Sequence, residues 1–174
     1  MRFGGVAFVA LLLCAPAMAA EIENAQSLDI AVRGRVVERC TLADLPDVSF
    51  GDISRPGLGF STHVGLSCNV PINVTIRSQN GGLANELMPT GQGPYAGTLP
   101  YALQVRLPVR TPERGVVSQR FASRDLVAGQ SISSAGGIAV DGMSLTIALG
   151  SPGREAGLLA GRYGEVIEIT VTPG

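Results

Sequence analysis

The sequence predicts an all-β protein, an immunoglobulin-like β-sandwich of about seven short strands. Glycine and proline are frequent, with 23 Gly and 11 Pro in 174 residues, and they separate stretches in which apolar and polar residues alternate. Alternation with a period of two indicates half-buried strands. No long stretch repeats its apolar residues at the helical period. Short strands separated by turn signals are typical of two packed antiparallel sheets.

The first half of the chain alternates in three places. The residues that share one face of each predicted strand are Leu28, Ile30 and Val32 in 27–39; Val64, Leu66 and Cys68; and Ile72, Val74 and Ile76 in "INVTI". Between the first two, the stretch 41–60 is interrupted by Pro46, Gly51, Pro56 and Gly57 and is not expected to form a long strand.

The second half opens with a predicted loop over 81–97, which contains Pro89, Pro94 and several glycines. Four predicted strands follow, one of them weak. Their inward-facing residues are Leu99, Tyr101, Leu103, Val105 and Leu107; Val116, Val117 and Phe121 in the weak strand; Met143, Leu145, Ile147 and Leu149; and Ile167, Ile169 and Val171. In the last strand Glu168, Thr170 and Thr172 face the other way, so we expect it to be half-buried.

Residues 1–19 have the features of a signal peptide. Arg2 precedes a short apolar run, and Ala17-Met18-Ala19 fits the small-residue cleavage rule, so we expect the cut after Ala19. The alternative is a retained membrane anchor, which needs about 20 apolar residues. We therefore expect an exported chain without stable membrane insertion, at the cell surface or secreted.

The charge of the expected mature chain argues against nucleic-acid binding. Loss of Arg2 leaves 12 Arg against 14 acidic residues, a net charge of about −2, and the sequence contains no Lys. No run of basic residues provides the positive footprint that nucleic-acid binding requires.

Two cysteines remain after the signal peptide, Cys40 and Cys68. An even pair in an exported chain predicts one disulfide in an oxidising compartment. The alternative is half of a metal site that also uses His63, but the spacing does not match that of zinc sites. We expect no metal and no cofactor.

Enzyme motifs are weak. His63 is the only histidine, so a Ser-His-Asp arrangement would have to use it, and it is expected on the surface. "GLSCN" and "GMSLT" lack the second glycine of a nucleophile elbow. We predict a protein that is not an enzyme. Tyr163 is expected to have a structural role like that of the tyrosine corner in immunoglobulin sandwiches.

Several motifs in order resemble the spore coat protein U domain family, which includes pilin subunits of the archaic chaperone–usher pathway. They are "CTL" at 40–42, "FG" at 50–51, "GLSC" at 65–68, "INVTI" at 72–76, "LPYAL" at 99–103 and "GRYGEVIEITVTP" at 161–173. The last resembles a closing G-x-Y-x-D-x-hydrophobic-x-V-T-V motif. This chain has Glu165 in place of the usual Asp, and "ALG" at 148–150 where a Tyr-Gly pair is common.

The resemblance implies a sandwich that lacks its final strand. A periplasmic chaperone fills the open groove first, and the N-terminal extension of the next subunit then replaces it after transfer to an outer-membrane usher. In this chain the groove would be lined by Ile167, Ile169 and Val171. The extension would be residues 20–32, with Leu28, Ile30 and Val32 as the inserted side chains and 33–174 as the pilin-like domain.

These expectations lead to a structural subunit of a surface pilus, with other subunits joined head to tail. Attachment and biofilm formation are what the resemblance implies. Two alternatives remain open: a coat or surface protein of the same fold that does not polymerise, and a tip adhesin. Periodicity also leaves open that Leu28, Ile30 and Val32 form the first strand of a complete sandwich.

Overall fold

The structure, a computed structural model, describes residues 29–174 and divides the chain into two units. Residues 29–35 belong to the first unit, which ends at Arg35; they have no regular secondary structure, and Ile30 and Val32 are exposed. Leu28 and the predicted signal peptide lie outside the described residues. Val36–Gly174 form the second unit, whose architecture follows.

The described residues form twelve strands and one 3-10 helix. The strands are β1 (Cys40–Leu42), β2 (Gly59–Val64), β3 (Leu66–Cys68), β4 (Pro71–Ser78), β5 (Leu83–Asn85), β6 (Thr98–Leu99), β7 (Tyr101–Thr111), β8 (Glu113–Ala122), β9 (Gln130–Ile138), β10 (Met143–Leu149), β11 (Tyr163–Gly164) and β12 (Ile167–Pro173). The 3-10 helix, Asp125–Ala128, connects β8 to β9.

The strands form two antiparallel layers. One layer has the order β12-β4-β9, and the other has the order β8-β7-β10-β2. A single pairing, Arg110 with Ile138, joins the layers where β7 and β9 end. Two small ladders, β1-β3 and β11-β5-β6, complete the fold. The all-β, immunoglobulin-like sandwich predicted from the sequence is confirmed.

The inward-facing residues of both layers form one core. β4 and β7 contribute most of it, because every second residue of each strand is buried. Strands β9 and β10 add Ile132, Met143 and Leu145. The side chains of Ile167, Ile169 and Val171 in β12 are only half-buried, yet they pack against this core. The layer formed by β12 is therefore less completely covered at its edge than at its centre.

Most predicted strands are present, but four details differ. The stretch 64–68 is divided at Gly65, because the chain changes partner there from β10 to β1. The predicted loop 81–97 contains the short strand β5. β9 was not predicted, since its sequence "QSISSAGGI" is rich in serine and glycine. Within 29–39 the chain forms no strand.

Candidate functional site

Three strands at the ends of the layers pair on one side only: β8, which pairs with β7, and the two strands that matter here, β12 and β2. β12 pairs with β4 on one side only, and β2 pairs with β10 on one side only. The free edge of a strand presents backbone N–H and C=O groups that another strand can pair with. The inner faces of both strands are mostly apolar, with Thr62 as the polar exception, so a space between them is mostly apolar.

A narrow cleft lies between these two strands. It has a volume of about 90 Å³, and its lining is almost wholly apolar. We call it the edge groove. Its lining residues are Leu45, Pro46 and Val48 from the segment before β2; Phe60 and Thr62 of β2; Leu103 of β7; Leu145 and Ile147 of β10; and Ile167 and Ile169 of β12.

The edge groove brings together two of the three residues predicted for it. Ile167 and Ile169 line the cleft. Val171 lies further along the same face of β12 and packs against the core, but it does not line the cleft. The sequence reasoning missed Phe60 and Thr62 on the opposite wall. Phe60, Thr62 and Val64 occupy every second position of β2, and this period of two is the signal that could have indicated them.

The segment before β2 lies along the groove without joining a sheet. Residues 43–50 have no regular secondary structure. Leu45 is 42% exposed and Val48 is 39% exposed, so each covers the cleft only in part. The segment before β2 therefore covers the edge groove only in part.

The predicted donor residues that the structure describes, Ile30 and Val32, belong to the first unit. Ile30 is 77% exposed and Val32 is 90% exposed, and Leu28 lies outside the described residues. A β-branched residue with this exposure buries little apolar surface, although burial of such a side chain is favourable by roughly 1.5–3 kcal/mol.

The predicted disulfide between Cys40 and Cys68 is confirmed. The two cysteines are direct partners in the β1-β3 ladder. Asn69 extends this contact, because its side chain accepts a hydrogen bond from the Arg39 amide at 2.7 Å and donates one to the Val37 carbonyl at 2.8 Å. The disulfide thereby holds the start of the domain against the strand that leads into the core.

The turn before β12 is organised by Glu165 and Tyr163. The Glu165 carboxylate accepts hydrogen bonds from the Ser78 hydroxyl and from the backbone N–H groups of Gln79, Asn80, Gly82 and Val166, at 2.8–3.3 Å. The Tyr163 hydroxyl lies 2.6 Å from the Leu159 carbonyl, four residues upstream. Together these contacts fix where β12 begins, and hence the position of one wall of the groove.

Tyr101 is the one group in the core with a large pKa shift among the described residues. Burial raises its pKa to about 12; the Ser78 hydroxyl acts in the opposite direction, and the Glu165 carboxylate adds to the increase. The Tyr101 hydroxyl is buried and has no hydrogen-bond partner in the described chain. This tyrosine is a packed core residue.

Comparison with known proteins adds no relative: no protein-family model matches the chain, and no curated protein matches it significantly. Over residues 29–174, no helix is both long and apolar enough to cross a membrane.

Proposed function

We propose that this chain is a structural subunit of a surface pilus, assembled by donor-strand complementation. The N-terminal extension of one copy inserts into the edge groove of the next, and repetition of this head-to-tail contact builds an open filament. The observation that carries the proposal is the apolar groove between two strands that each have a free edge. The proposed role is non-enzymatic.

The free edge of β12 offers the backbone of an inserted strand a ladder of hydrogen bonds. Peptides that add a strand to a sheet edge gain affinity from main-chain bonds and specificity from every second side chain. An extended segment beside β12 therefore places alternate residues over the groove. The extension supplies such an alternation in Leu28, Ile30 and Val32.

The burial of three such side chains has a useful magnitude. At roughly 1.5–3 kcal/mol for each, insertion contributes about 5–9 kcal/mol before the cost of ordering the extension. A whole domain is stable by about 5–15 kcal/mol. The exposure of Ile30 and Val32 supports the proposal, since both have most of that burial still to gain.

Insertion requires a local rearrangement. A cleft of about 90 Å³ accommodates less than a strand, so Leu45, Pro46 and Val48 must move outwards as the donor arrives. This movement is inexpensive because residues 44–48 form no strand pairing. The path of export in this proposal is a signal peptide, a periplasmic chaperone that holds the groove, and an outer-membrane usher.

One observation favours a second candidate, a secreted coat or surface protein that does not polymerise. In the single chain Leu45, Pro46 and Val48 already cover part of the groove. If that cover is sufficient, the domain needs no donor from another copy.

The test is to delete residues 20–32 from the mature chain and coexpress it with its chaperone. We expect a soluble, chaperone-bound domain that forms no multimers, whereas the intact chain assembles into filaments visible by electron microscopy.

A finer pair of variants separates insertion from folding: Ile30→Asp with Val32→Asp should abolish assembly. The matched control, Asp29→Ser with Ala31→Ser, changes the alternate face and should assemble normally. Assembly of the Ile30→Asp, Val32→Asp chain at the normal rate would rule out this donor.

A further inference from the structure

A concentration of arginines lies on the outer face of the β7–β8 hairpin. Val105, Leu107 and Val109 of β7 face the core, so the intervening residues face outwards. In β8 the buried Phe121 fixes the same alternation. Beyond the paired Ala102 and Ala122, the outward residues of the two strands are Gln104, Arg106, Pro108 and Arg110, with Arg114, Val116, Ser118 and Arg120. We call this surface the arginine face.

The strand register places these arginines close to one another. Arg110 is the direct partner of Arg114. Arg106 pairs with Ser118, and Arg120 is the next residue on the same face of β8. Directly opposed like charges in a sheet are unfavourable. At about 3.4 Å per residue, the two arginine pairs are centred roughly 17 Å apart along the hairpin. A surface with this repulsion is suited to an anionic partner that spans both pairs.

The arginine face has few acidic neighbours, and one of them, Asp125 of the 3-10 helix, lines a surface pocket together with Arg120. Glu113, the one acidic residue of β2, β7, β8 and β10, falls on the alternate face of β8. Asp141 approaches Arg110 at 3.6 Å, and in the described chain Arg106, Arg114 and Arg120 form no ion pair. The mature chain as a whole has about two more acidic than basic charges, so the positive charge of this face is a local segregation.

Hydroxyl and amide groups surround the guanidinium groups. Arg106 is opposite Ser144 of β10, and Gln104 is opposite Thr146. The Gln104 amide also lies 3.5 Å from the Ser118 hydroxyl. These groups donate and accept hydrogen bonds in the way that sugar hydroxyls require. The outward positions of the four strands hold no Phe, Tyr or Trp on which nucleic-acid bases could stack. Their one aromatic ring is the imidazole of His63, and Val116 is their largest aliphatic side chain.

We infer that the arginine face is a binding surface for an acidic polysaccharide, whose carboxylate or sulfate groups pair with the arginines while its hydroxyls contact Gln104, Ser118, Ser144 and Thr146. Guanidinium groups bind carboxylate and sulfate-like oxygens through paired N–H donors. The inference does not depend on filament assembly, because all of these residues belong to one folded domain.

The experiment measures binding of the full mature chain to immobilised alginate, a carboxylated polysaccharide, with neutral dextran as the uncharged comparison. We expect binding to alginate and none to dextran, with an affinity that falls as ionic strength rises to about 0.15 M and beyond. The triple variant Arg106→Gln, Arg114→Gln, Arg120→Gln should bind at least about tenfold more weakly. The same positions changed to Lys should give an intermediate affinity, because charge is kept and the paired geometry is lost.

The matched control removes three exposed arginines elsewhere: Arg55→Gln, Arg77→Gln and Arg162→Gln. It has the same net charge as the first variant and should retain wild-type binding. Equal losses in both triple variants would reduce the effect to net charge and overturn the proposal, as would unchanged binding in the Arg106, Arg114, Arg120 variant. Tighter binding to phosphatidylserine vesicles or to single-stranded DNA than to alginate would also overturn it. Circular dichroism melting curves, expected to match wild type, confirm that each variant is folded.

Discussion

Glu165 joins the end of β4 to the start of β12 through one carboxylate. Five donors converge on it, four of them backbone N–H groups. The closing motif leads one to expect Asp at this position. The longer Glu side chain can reach both the Ser78 hydroxyl and the turn that follows Ser78. The carboxylate thereby takes the place of the ladder bonds that a turn cannot make.

Replacement of Glu165 by Gln should destabilise the domain by about 2 kcal/mol. Hydrogen bonds to a charged acceptor contribute about 1.5–3 kcal/mol, and the new amide would direct N–H groups at N–H donors. Urea unfolding followed by circular dichroism measures the change. Glu168→Gln is the control: it lies exposed in β12 and should change stability by less than about 0.5 kcal/mol. Equal effects of the two variants would contradict the assigned role of Glu165.

The stability of the domain at alkaline pH should depend strongly on one residue, Tyr101. Its pKa is raised from 10.0 to about 12 in the folded domain. The folded state thus holds the proton more tightly than the unfolded state, so this contribution is complete below pH 10 and is lost as pH rises from 10 to 12. The expected loss is up to about 2–3 kcal/mol.

Tyr101→Phe should remove most of this alkaline decline. At pH 7 its stability should stay within about 1 kcal/mol of wild type, because the buried hydroxyl that is lost has no hydrogen-bond partner. The free energy of unfolding in urea between pH 7 and 12 tests both statements. Tyr95→Phe, at a 43% exposed position, should leave the decline in place. A wild-type curve that is flat through pH 12 would show that the tyrosine ionises equally in both states.

Among the elements, β1 depends most on a covalent bond. It has three exposed residues and pairs only with β3, so its burial cannot hold it in place. Closure of the 28-residue interval between Cys40 and Cys68 removes on the order of 3 kcal/mol of unfolded-state entropy in the chain-entropy model.

The double variant Cys40→Ala, Cys68→Ala should accordingly lose about 3 kcal/mol of stability in urea. Wild-type protein treated with a reductant should lose a similar amount, while the double variant should not respond to the reductant. A reductant effect of equal size in both proteins would show that the loss does not come from this bond.

The sequence predicts those strands whose buried positions are occupied by apolar side chains. β4, β7 and β12 alternate plainly, and the disulfide followed from the count of cysteines. β9 escaped because one of its buried positions is Ser134, whose hydroxyl accepts a hydrogen bond from the Ile72 amide at 2.9 Å. The groove was predictable only from the side of β12, since its other wall depends on which strands end at the layer edges. Pairing order is a property of the fold and leaves no local pattern.

At the scale of the whole molecule, the two free edges and the exposed apolar residues of 29–32 are complementary features of one sequence. The layers bury a continuous core, yet β2 and β12 are left without an outer partner. A segment with the right alternation lies before the domain. If the groove receives that segment, a copy attached to the other end of the same chain should stabilise the domain without any filament.

This prediction is tested by moving residues 21–33 to the C-terminus through a short flexible linker after Gly174, in a chain that begins at Gly34. A linker of hairpin length lets the segment return antiparallel along the free edge of β12. We expect the free energy of unfolding to rise by about 3–5 kcal/mol over the chain without the segment, part of the burial gain being offset by the ordering of the backbone. In the control the moved segment carries Leu28→Ser, Ile30→Ser and Val32→Ser, and it should give no more than a small gain. Equal stability of the fused chain and its control would show that these three side chains do not enter the groove, whatever the full-length chain does in assembly assays.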